Sequence, residues 1–195
     1  MNKFKEKIKI LTCDDIRRIL YRLTHQILEK DPDPQKLVLI GIQTRGVYLA
    51  KRIQQIIEEL EKIKVPLGIL DITLYRDDLT TIGHNPIVKE TIIGFDLTDK
   101  VVVLVDDVLF TGRTVRAALD EIMDFGRPKR VELLVLVDRG YRELPIRADF
   151  VGKNIPTSNK ELVEVRLKEI DRKDEVILLQ EEDRIPKTED REEAI

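Results

Sequence analysis

The chain is predicted to fold as an α/β domain, with a central, mainly parallel sheet flanked by helices. Three observations predict this. Apolar runs of strand length recur at 37–42, 101–105 and 131–137; such near-continuous runs suit strands buried on both faces. Between them lie stretches whose apolar residues return every three to four positions, as an amphipathic helix requires. Strands that alternate with helices form a parallel sheet through right-handed crossovers. Ligands of such sheets sit outside the carboxyl ends of the strands.

Taken in order, residues 12–30 read as the first helix. Thr12 is its N-cap, and Asp15 sits where the helix dipole favours a negative charge. Ile16, Ile19, Leu20, Leu23 and Ile27 form its buried stripe, and Arg18, Arg22 and His25 lie opposite with Tyr21 beside them. Taken alone, that basic face is either a solvated helix surface or a contact for a polyanion. Asp31-Pro32-Asp33-Pro34 ends the helix. A strand at 36–42 runs into the tight loop Gln43-Thr44-Arg45-Gly46 and a helix to about Lys62, with Val47, Ala50, Ile53, Ile57 and Leu60 facing inward. The loop is either an ordinary connection or a source of backbone N–H groups and Arg45 for a ligand.

Residues 67–75 alternate Leu70, Ile72 and Leu74 with Asp71 and Thr73, the pattern of a half-exposed strand. The polar stretch 76–86 is long for a connection and reads as a lid, with Ile87 to Phe95 as its returning arm.

The most informative stretch is Val101 to Thr114. Five apolar residues lead into Asp106 and Asp107, a short turn follows, and a helix begins near Gly112 or Arg113. Its inward positions are Val115, Ala118, Leu119, Ile122 and Met123. The first N–H groups of that helix lack intrahelical partners and make an anion site. Thr111 and Thr114 add hydroxyl donors, and Gly112 allows close approach. The stretch lacks the Gly-x-x-x-x-Gly-Lys pattern of a nucleoside triphosphate loop. A sugar phosphate fits better, because carboxylates accept hydrogen bonds from ribose hydroxyls while the loop holds a phosphate. In the alternative reading the aspartates cap a helix and the threonines satisfy a turn.

A β-rich run at 130–137 follows. Residues 138–158 are irregular, and two short strands are expected near Glu161–Leu167 and Glu175–Leu179.

Composition sets outer bounds. The 195 residues are 42% hydrophobic and 36% charged, with a net charge of −3. Residues 181–195 hold seven acids and three bases; removing them from totals of 37 and 34 leaves a body of 30 acids and 31 bases. The near-neutral body leaves room for a local basic patch, and the acidic tail is expected to be disordered. A single cysteine, Cys13, cannot form an internal disulfide, so a reducing, cytoplasmic setting is expected. The lysine-rich start has no apolar core of signal-peptide length, and no run approaches membrane-spanning length.

At Val101 to Thr114 the chain resembles the type I phosphoribosyltransferases. The segment 138–158, together with Asp71-Ile-Thr-Leu-Tyr-Arg-Asp-Asp78 and Gly41-Ile-Gln-Thr-Arg-Gly46, closely resembles the bifunctional pyrimidine operon attenuation protein and uracil phosphoribosyltransferase family (PyrR family). The likeness runs from about residue 12 to 180. It implies a type I phosphoribosyltransferase fold in one domain over 1–180, with a small hood at about 138–160 and a flexible lid.

The resemblance also implies chemistry. Phosphoribosyl passes from 5-phosphoribosyl 1-diphosphate to uracil, giving UMP and diphosphate. By motif match Asp106 and Asp107 hold the ribose hydroxyls. The loop Val108, Leu109, Phe110, Thr111, Gly112, Arg113 and Thr114 binds the substrate, its 5′-phosphate at Thr111 to Thr114. Thr44, Arg45 and Gly46 hold the diphosphate, which Arg76 and the lid cover. Val137, Asp138 and Arg139 meet the uracil. Mg²⁺ arrives mainly on the substrate diphosphate, and no dedicated metal site is expected. A second activity is implied, UMP-aided binding to a leader mRNA hairpin that promotes transcription termination. Its contacts would be Arg18, Arg22 and His25 with Arg142, Arg147 and Lys153. Tyr21 and Tyr141 depart from the small residue and histidine usual at those places. Homodimers or tetramers and no membrane association are implied. A salvage enzyme without RNA binding, a regulator with little catalysis, and a purine or orotate transferase are the alternatives.

Overall fold

The structure, a computed structural model, describes residues 4–72, 90–158 and 160–182. Arg76, the lid reading of 76–86 and the tail from 183 onward lie outside these residues.

The main sheet is assembled from β2 (Leu37–Ile42), β3 (Leu67–Leu70), β4 (Val101–Leu109), β5 (Arg130–Asp138) and β6 (Phe150–Asn154). Their order is β3-β2-β4-β5-β6, and every neighbouring pair is parallel. β4 is central, and Val101 to Val105 are all buried. Their side chains alternate between two cores. Val101, Val103 and Val105 pack with α1 (Cys13–Lys30) and α2 (Arg45–Glu61) on one face. Val102 and Leu104 pack with α3 (Arg113–Asp124) on the other. Burying each such side chain contributes about 1.5–3 kcal/mol, so both faces must be covered. A strand exposed on one face would show polar residues at alternate positions.

A second sheet has the order β1-β8-β7, entirely antiparallel, from β1 (Phe4–Leu11), β7 (Glu161–Arg166) and β8 (Glu175–Glu181). A four-residue helix α4 (Lys168–Asp171) joins β7 to β8. Val163, Val165 and Val176 carry the inner face of this sheet into the α1–α2 core. Ion pairs tie the sheet further, with Lys7 on Glu161 at 2.7 Å and Lys9 on Glu175 at 2.8 Å.

α1 begins as expected. Thr12 caps it, and Asp15 closes a reciprocal capping box by accepting from the Thr12 N–H at 3.0 Å. Such a cap is worth about 1 kcal/mol. Ile16, Leu20, Leu23 and Ile27 are buried.

Several readings change. The lysine-rich start is a strand, β1, whose partner β8 lies at the far end of the chain. β4 does not stop at Val105 but continues to Leu109, so both aspartates are strand residues. The stretch 138–158 is not irregular throughout, since 150–154 adds a fifth parallel strand, while β1, β7 and β8 form a separate layer. Leu60 and Met123 are exposed rather than inward, because each lies in the last turn of its helix. Asp71 is buried, its backbone N–H donating to Thr91 Oγ1 at 3.0 Å. Of the lid's returning arm, Ile92 makes an antiparallel bridge with Ile69.

Candidate active site

The carboxyl ends of β2, β4 and β5 open onto one crevice, with α2 and α3 starting beside it. At the end of β2 the chain turns at once into α2. Gly46 makes that possible, since a Cβ there would stand 2.3 Å from the Val105 carbonyl oxygen and 3.2 Å from Asp106 Cα. Only a residue without a side chain lets the 43–46 loop lie against β4 at its acidic end. The Gln43–Thr44 peptide is cis. Thr44 and Arg45 are half-buried at the start of α2.

Asp106 is buried at 6% exposure and Asp107 is half-buried. The Asp107 N–H donates to Asp106 Oδ1 at 2.9 Å, and the Val108 N–H donates to Asp107 Oδ1 at 2.9 Å. Burial pushes the Asp106 carboxyl well above the usual carboxylate range, and the neighbouring charge of Asp107 pushes it the same way. Burial also raises Asp107, against the hydrogen bond with Asp106 and the positive charge of Arg45. Two carboxylates kept from water in this way hold unspent hydrogen-bonding capacity, which a polyhydroxyl ligand can take up.

Beyond β4 the loop rises through Phe110 and Thr111 to Gly112, which caps α3 with φ 93°, a left-handed backbone that glycine adopts without strain. Val108, Thr111 and Thr114 are half-buried and Leu109 is buried. The Arg113 N–H donates to Thr111 Oγ1 at 3.3 Å. The first turn of α3 carries no acidic residue, so its N–H groups offer an uncompensated positive end to an anion.

The segment after β5 is strapped onto this loop. The Arg139 N–H donates to the Leu109 carbonyl at 2.9 Å, and the Glu143 and Leu144 N–H groups both donate to Thr111 O at 3.0 and 3.2 Å. Arg142 donates to Phe110 O at 2.8 Å, Ile146 O at 2.9 Å and Asp138 Oδ2 at 2.5 Å. Tyr141 stacks on Phe110 with ring centres 5.4 Å apart, and the Arg139 guanidinium covers Phe110 at 3.9 Å. Arg139 is further held by Thr157 Oγ1 at 2.9 Å and the Glu161 carbonyl at 2.6 Å. Between this strap and the β1-β8-β7 sheet lies a cavity of about 390 Å³ lined by Phe4, Phe110, Arg139, Tyr141, Glu143, Glu161 and Leu162. Its size and aromatic wall suit a planar base. Val137 and Asp138 are buried at the end of β5.

The basic residues read as one group divide into two. Arg18, Arg22 and His25 are exposed on α1. Arg22 donates to the Gly152 carbonyl at 2.6 Å, which brings α1 against β6. Hydrogen bonds from Thr12 hold the Asp15 carboxyl below its ordinary value, with Arg18 and Lys153 adding their charge. Arg18, Arg22 and Lys153 therefore share one patch. Arg147 is exposed in the segment leading to β6. Arg142 is different, because its guanidinium is turned inward to the Phe110 loop, where it braces the strap. The sequence reading also missed Asp171, whose carboxylate grips Arg45. Nothing in its local pattern signals this, because the pair is 126 residues apart.

Among the described residues, no group of three or more His, Cys, Asp or Glu side chains is placed to hold a metal ion. Phosphoribosyl transferases generally use Mg²⁺ with 5-phosphoribosyl 1-diphosphate. The adjacent carboxylates of Asp106 and Asp107 fit a hard cation that keeps most of its ligands as water and phosphate oxygens. Among the described residues no helix is long and apolar enough to cross a membrane.

The model of the phosphoribosyl transferase domain matches residues 8–170. The bifunctional protein PyrR of Pelotomaculum thermopropionicum is 58% identical over 176 residues, covering 90% of this chain and 97% of the relative. That of Oceanobacillus iheyensis is 60% identical over 176 residues, covering 89% and 98%. A hypoxanthine phosphoribosyltransferase from Staphylococcus aureus superposes with a TM-score of 0.65 at 25% identity, over 88% of this chain and 92% of the other. The hypoxanthine phosphoribosyl transferase of Trypanosoma cruzi reaches a TM-score of 0.70 at 19% identity, over 90% and 92%, and speaks for the fold alone. The chain belongs to the phosphoribosyl transferase family and, within it, to the bifunctional PyrR proteins.

Proposed function

We propose that the protein transfers phosphoribosyl from 5-phosphoribosyl 1-diphosphate to uracil, and that the UMP it forms promotes its binding to a leader mRNA hairpin, attenuating transcription of a pyrimidine operon. One observation carries the catalytic half: the buried Asp106–Asp107 pair sits at the end of β4 between the N-terminus of α3 and the Arg45 loop. Asp106 and Asp107 accept hydrogen bonds from the ribose hydroxyls, which offsets the cost of their burial. The Thr111–Thr114 turn holds the 5′-phosphate on the α3 N–H groups. Thr44, Arg45 and Gly46 hold the diphosphate, and Arg76 belongs to the same reading as a lid residue.

The bond from ribose C1 to the diphosphate oxygen breaks, with the electron pair leaving on diphosphate; a uracil nitrogen forms the new bond to C1 and gives up its proton to the departing diphosphate. Positive charge grows at C1 as this happens. The two carboxylates beneath the ring are already in place to stabilise it, so catalysis is positioning and preorganised electrostatics. Mg²⁺, carried mainly by the diphosphate, would spread the charge of that leaving group. Val137, Asp138 and Arg139 present the base from the end of β5.

The Arg18–Arg22–Lys153 patch supports the RNA half, with His25 and Arg147 as further contacts. An assembly of two or four chains would enlarge that surface. The lone cysteine supports work in a reducing, cytoplasmic compartment.

The test is one preparation and two measurements. UMP formation from uracil is followed beside a panel of hypoxanthine, guanine and orotate, and hairpin binding is then titrated with and without UMP. Uracil should be the preferred base, and hairpin binding should tighten with UMP and weaken with salt. Transfer without any hairpin binding would reduce the protein to a salvage enzyme, and binding indifferent to UMP would remove the sensor reading.

A further inference from the structure

Arg45 opens α2 with its guanidinium half-buried. Its charge is felt at Asp107. The same guanidinium is gripped from the other side by Asp171 in α4. Arg45 Nη2 donates to Asp171 Oδ1 at 3.1 Å and Oδ2 at 3.3 Å, and Nε donates to Oδ2 at 3.4 Å. These bonds occupy the Nε–Nη2 edge. Among the described residues, Nη1 makes no hydrogen bond, so the opposite edge keeps its donors.

Asp171 is itself anchored. Its Oδ2 accepts from the Leu167 N–H at 2.9 Å, and its own N–H donates to Leu167 O at 2.7 Å. The surrounding turn is pinned to α2 a second time. Arg52, seven residues after Arg45 and so on the same helix face, pairs with Glu169 at 2.6 Å and with Asp174 at 2.7 Å. The turn between β7 and β8 is thus a rigid platform laid along α2, and Asp171 is its point of contact with the crevice.

We propose that Asp171 is a positioning residue for phosphoribosyl transfer. It grips one edge of Arg45 and holds the opposite edge ready for the diphosphate of 5-phosphoribosyl 1-diphosphate. The physical reason is preorganisation. An arginine reaching toward a polyanion from a helix start loses rotamer freedom on binding, and a fixed carboxylate fork removes that loss beforehand. The guanidinium offers five N–H donors in a rigid fork, so it serves a carboxylate on one edge and a diphosphate on the other. The inference rests on the diphosphate role of Arg45 and adds the residue through which Arg45 is aimed.

The experiment is a double-mutant cycle of Asp171→Ala and Arg45→Ala, with Asp171→Asn as the conservative variant. It reads KM for each substrate, kcat, and diphosphate binding by calorimetry in Mg²⁺. Asp171→Ala should raise KM for 5-phosphoribosyl 1-diphosphate and weaken diphosphate binding about ten-fold, the factor that about 1.4 kcal/mol produces. KM for uracil should stay within about two-fold, since the base site is built from other elements. Asp171→Asn should fall between, because it keeps the acceptor for Leu167 and loses the charge. In the Arg45→Ala background, Asp171→Ala should add nothing further.

Losses that simply add in the double variant overturn the proposal, as does an equal fall in every parameter with a lowered melting temperature in both Asp171 variants. Wild-type protein that makes UMP while Asp171→Ala behaves identically overturns this inference and leaves the transferase reading standing. Protein that makes no UMP, yet binds diphosphate in an Asp171-dependent way, overturns the choice of reaction and keeps the inference.

Discussion

The parallel sheet and the antiparallel sheet treat their carboxylates in opposite ways. In the crevice at the end of β4, burial pushes Asp106 and Asp107 up. In the β1-β8-β7 sheet, Glu161 is held down to about 2 by Lys7 and Ser158, and Glu175 to about 2 by Lys173, Lys9 and Arg166. The end of β4 leaves its two acids to burial with Arg45 near Asp107, and the antiparallel sheet closes cations directly on its acids. The parallel sheet gains its stability from strands buried on both faces, which leaves margin for two costly charges at its open end. The antiparallel sheet has one apolar face, and its edge strand β1 is mostly exposed. Its ion pairs join exposed lysines to sheltered glutamates, and Val163, Val165 and Val176 anchor the sheet to the α1–α2 core. The proposed ribose site is the raised pair, Asp106 and Asp107.

The largest effect expected from testing this contrast is on catalysis. Asp107→Asn should lower kcat/KM for transfer about 100-fold, the scale of removing one preorganised electrostatic group. Unchanged transfer would remove the ribose assignment. Gly46→Ala should come next. Its Cβ would enter the space of the Val105 carbonyl, so thermal melting should show a loss of about 1–3 kcal/mol, with transfer falling because Arg45 and Asp106 move apart.

Asp106→Asn sharpens the comparison further. It removes the most costly buried charge, so the ligand-free protein should melt roughly 2–4 °C higher, about 1 kcal/mol in a chain of this size, while transfer falls. A lower melting point would mean that the carboxylate is satisfied within the apo crevice.

The pH dependence carries the same contrast with opposite signs. Glu161 and Glu175 are depressed, so their contribution is present above the unfolded value of about 4.3 and is lost as pH falls through about 2. Asp106 is raised, so its contribution favours folding below the unfolded value of about 3.9 and is lost as pH rises through its folded value. Hydrogen exchange on acidification should therefore show the β1-β8-β7 amides opening before those of β4. Glu175→Gln should flatten that acid response, and an unchanged response would show that the ion pairs carry none of it.

The smallest effect concerns the surface. Arg22→Ala should weaken hairpin binding about ten-fold, on the order of 1–2 kcal/mol per phosphate or base contact, and leave transfer intact. Equal loss of both would point to its bond with Gly152 and a shifted α1.

The central strand, both flanking helices, the capped first helix, the two aspartates and the loops beside them were legible in the chain. Each rests on neighbours a few residues apart: an apolar run, a three-to-four repeat, Thr12 with Asp15, or Gly112 before α3. What local pattern could not reveal are contacts between distant segments. The lysine-rich start gives no sign of a strand until β8 supplies its partner. Arg142 reads as an exposed cation until Phe110 and Asp138 draw it inward. Phe150–Asn154 reads as irregular until β5 offers an edge. Asp171 carries no signal of its own until α2 brings Arg45 to it. Sequence by itself determined the parallel sheet and the phosphoribosyl transferase family, because periodicity and short motifs encode both. Only the tertiary structure decided which charges are spent inside the protein and which remain for a ligand, because pairing depends on distances between elements that the order of residues does not contain.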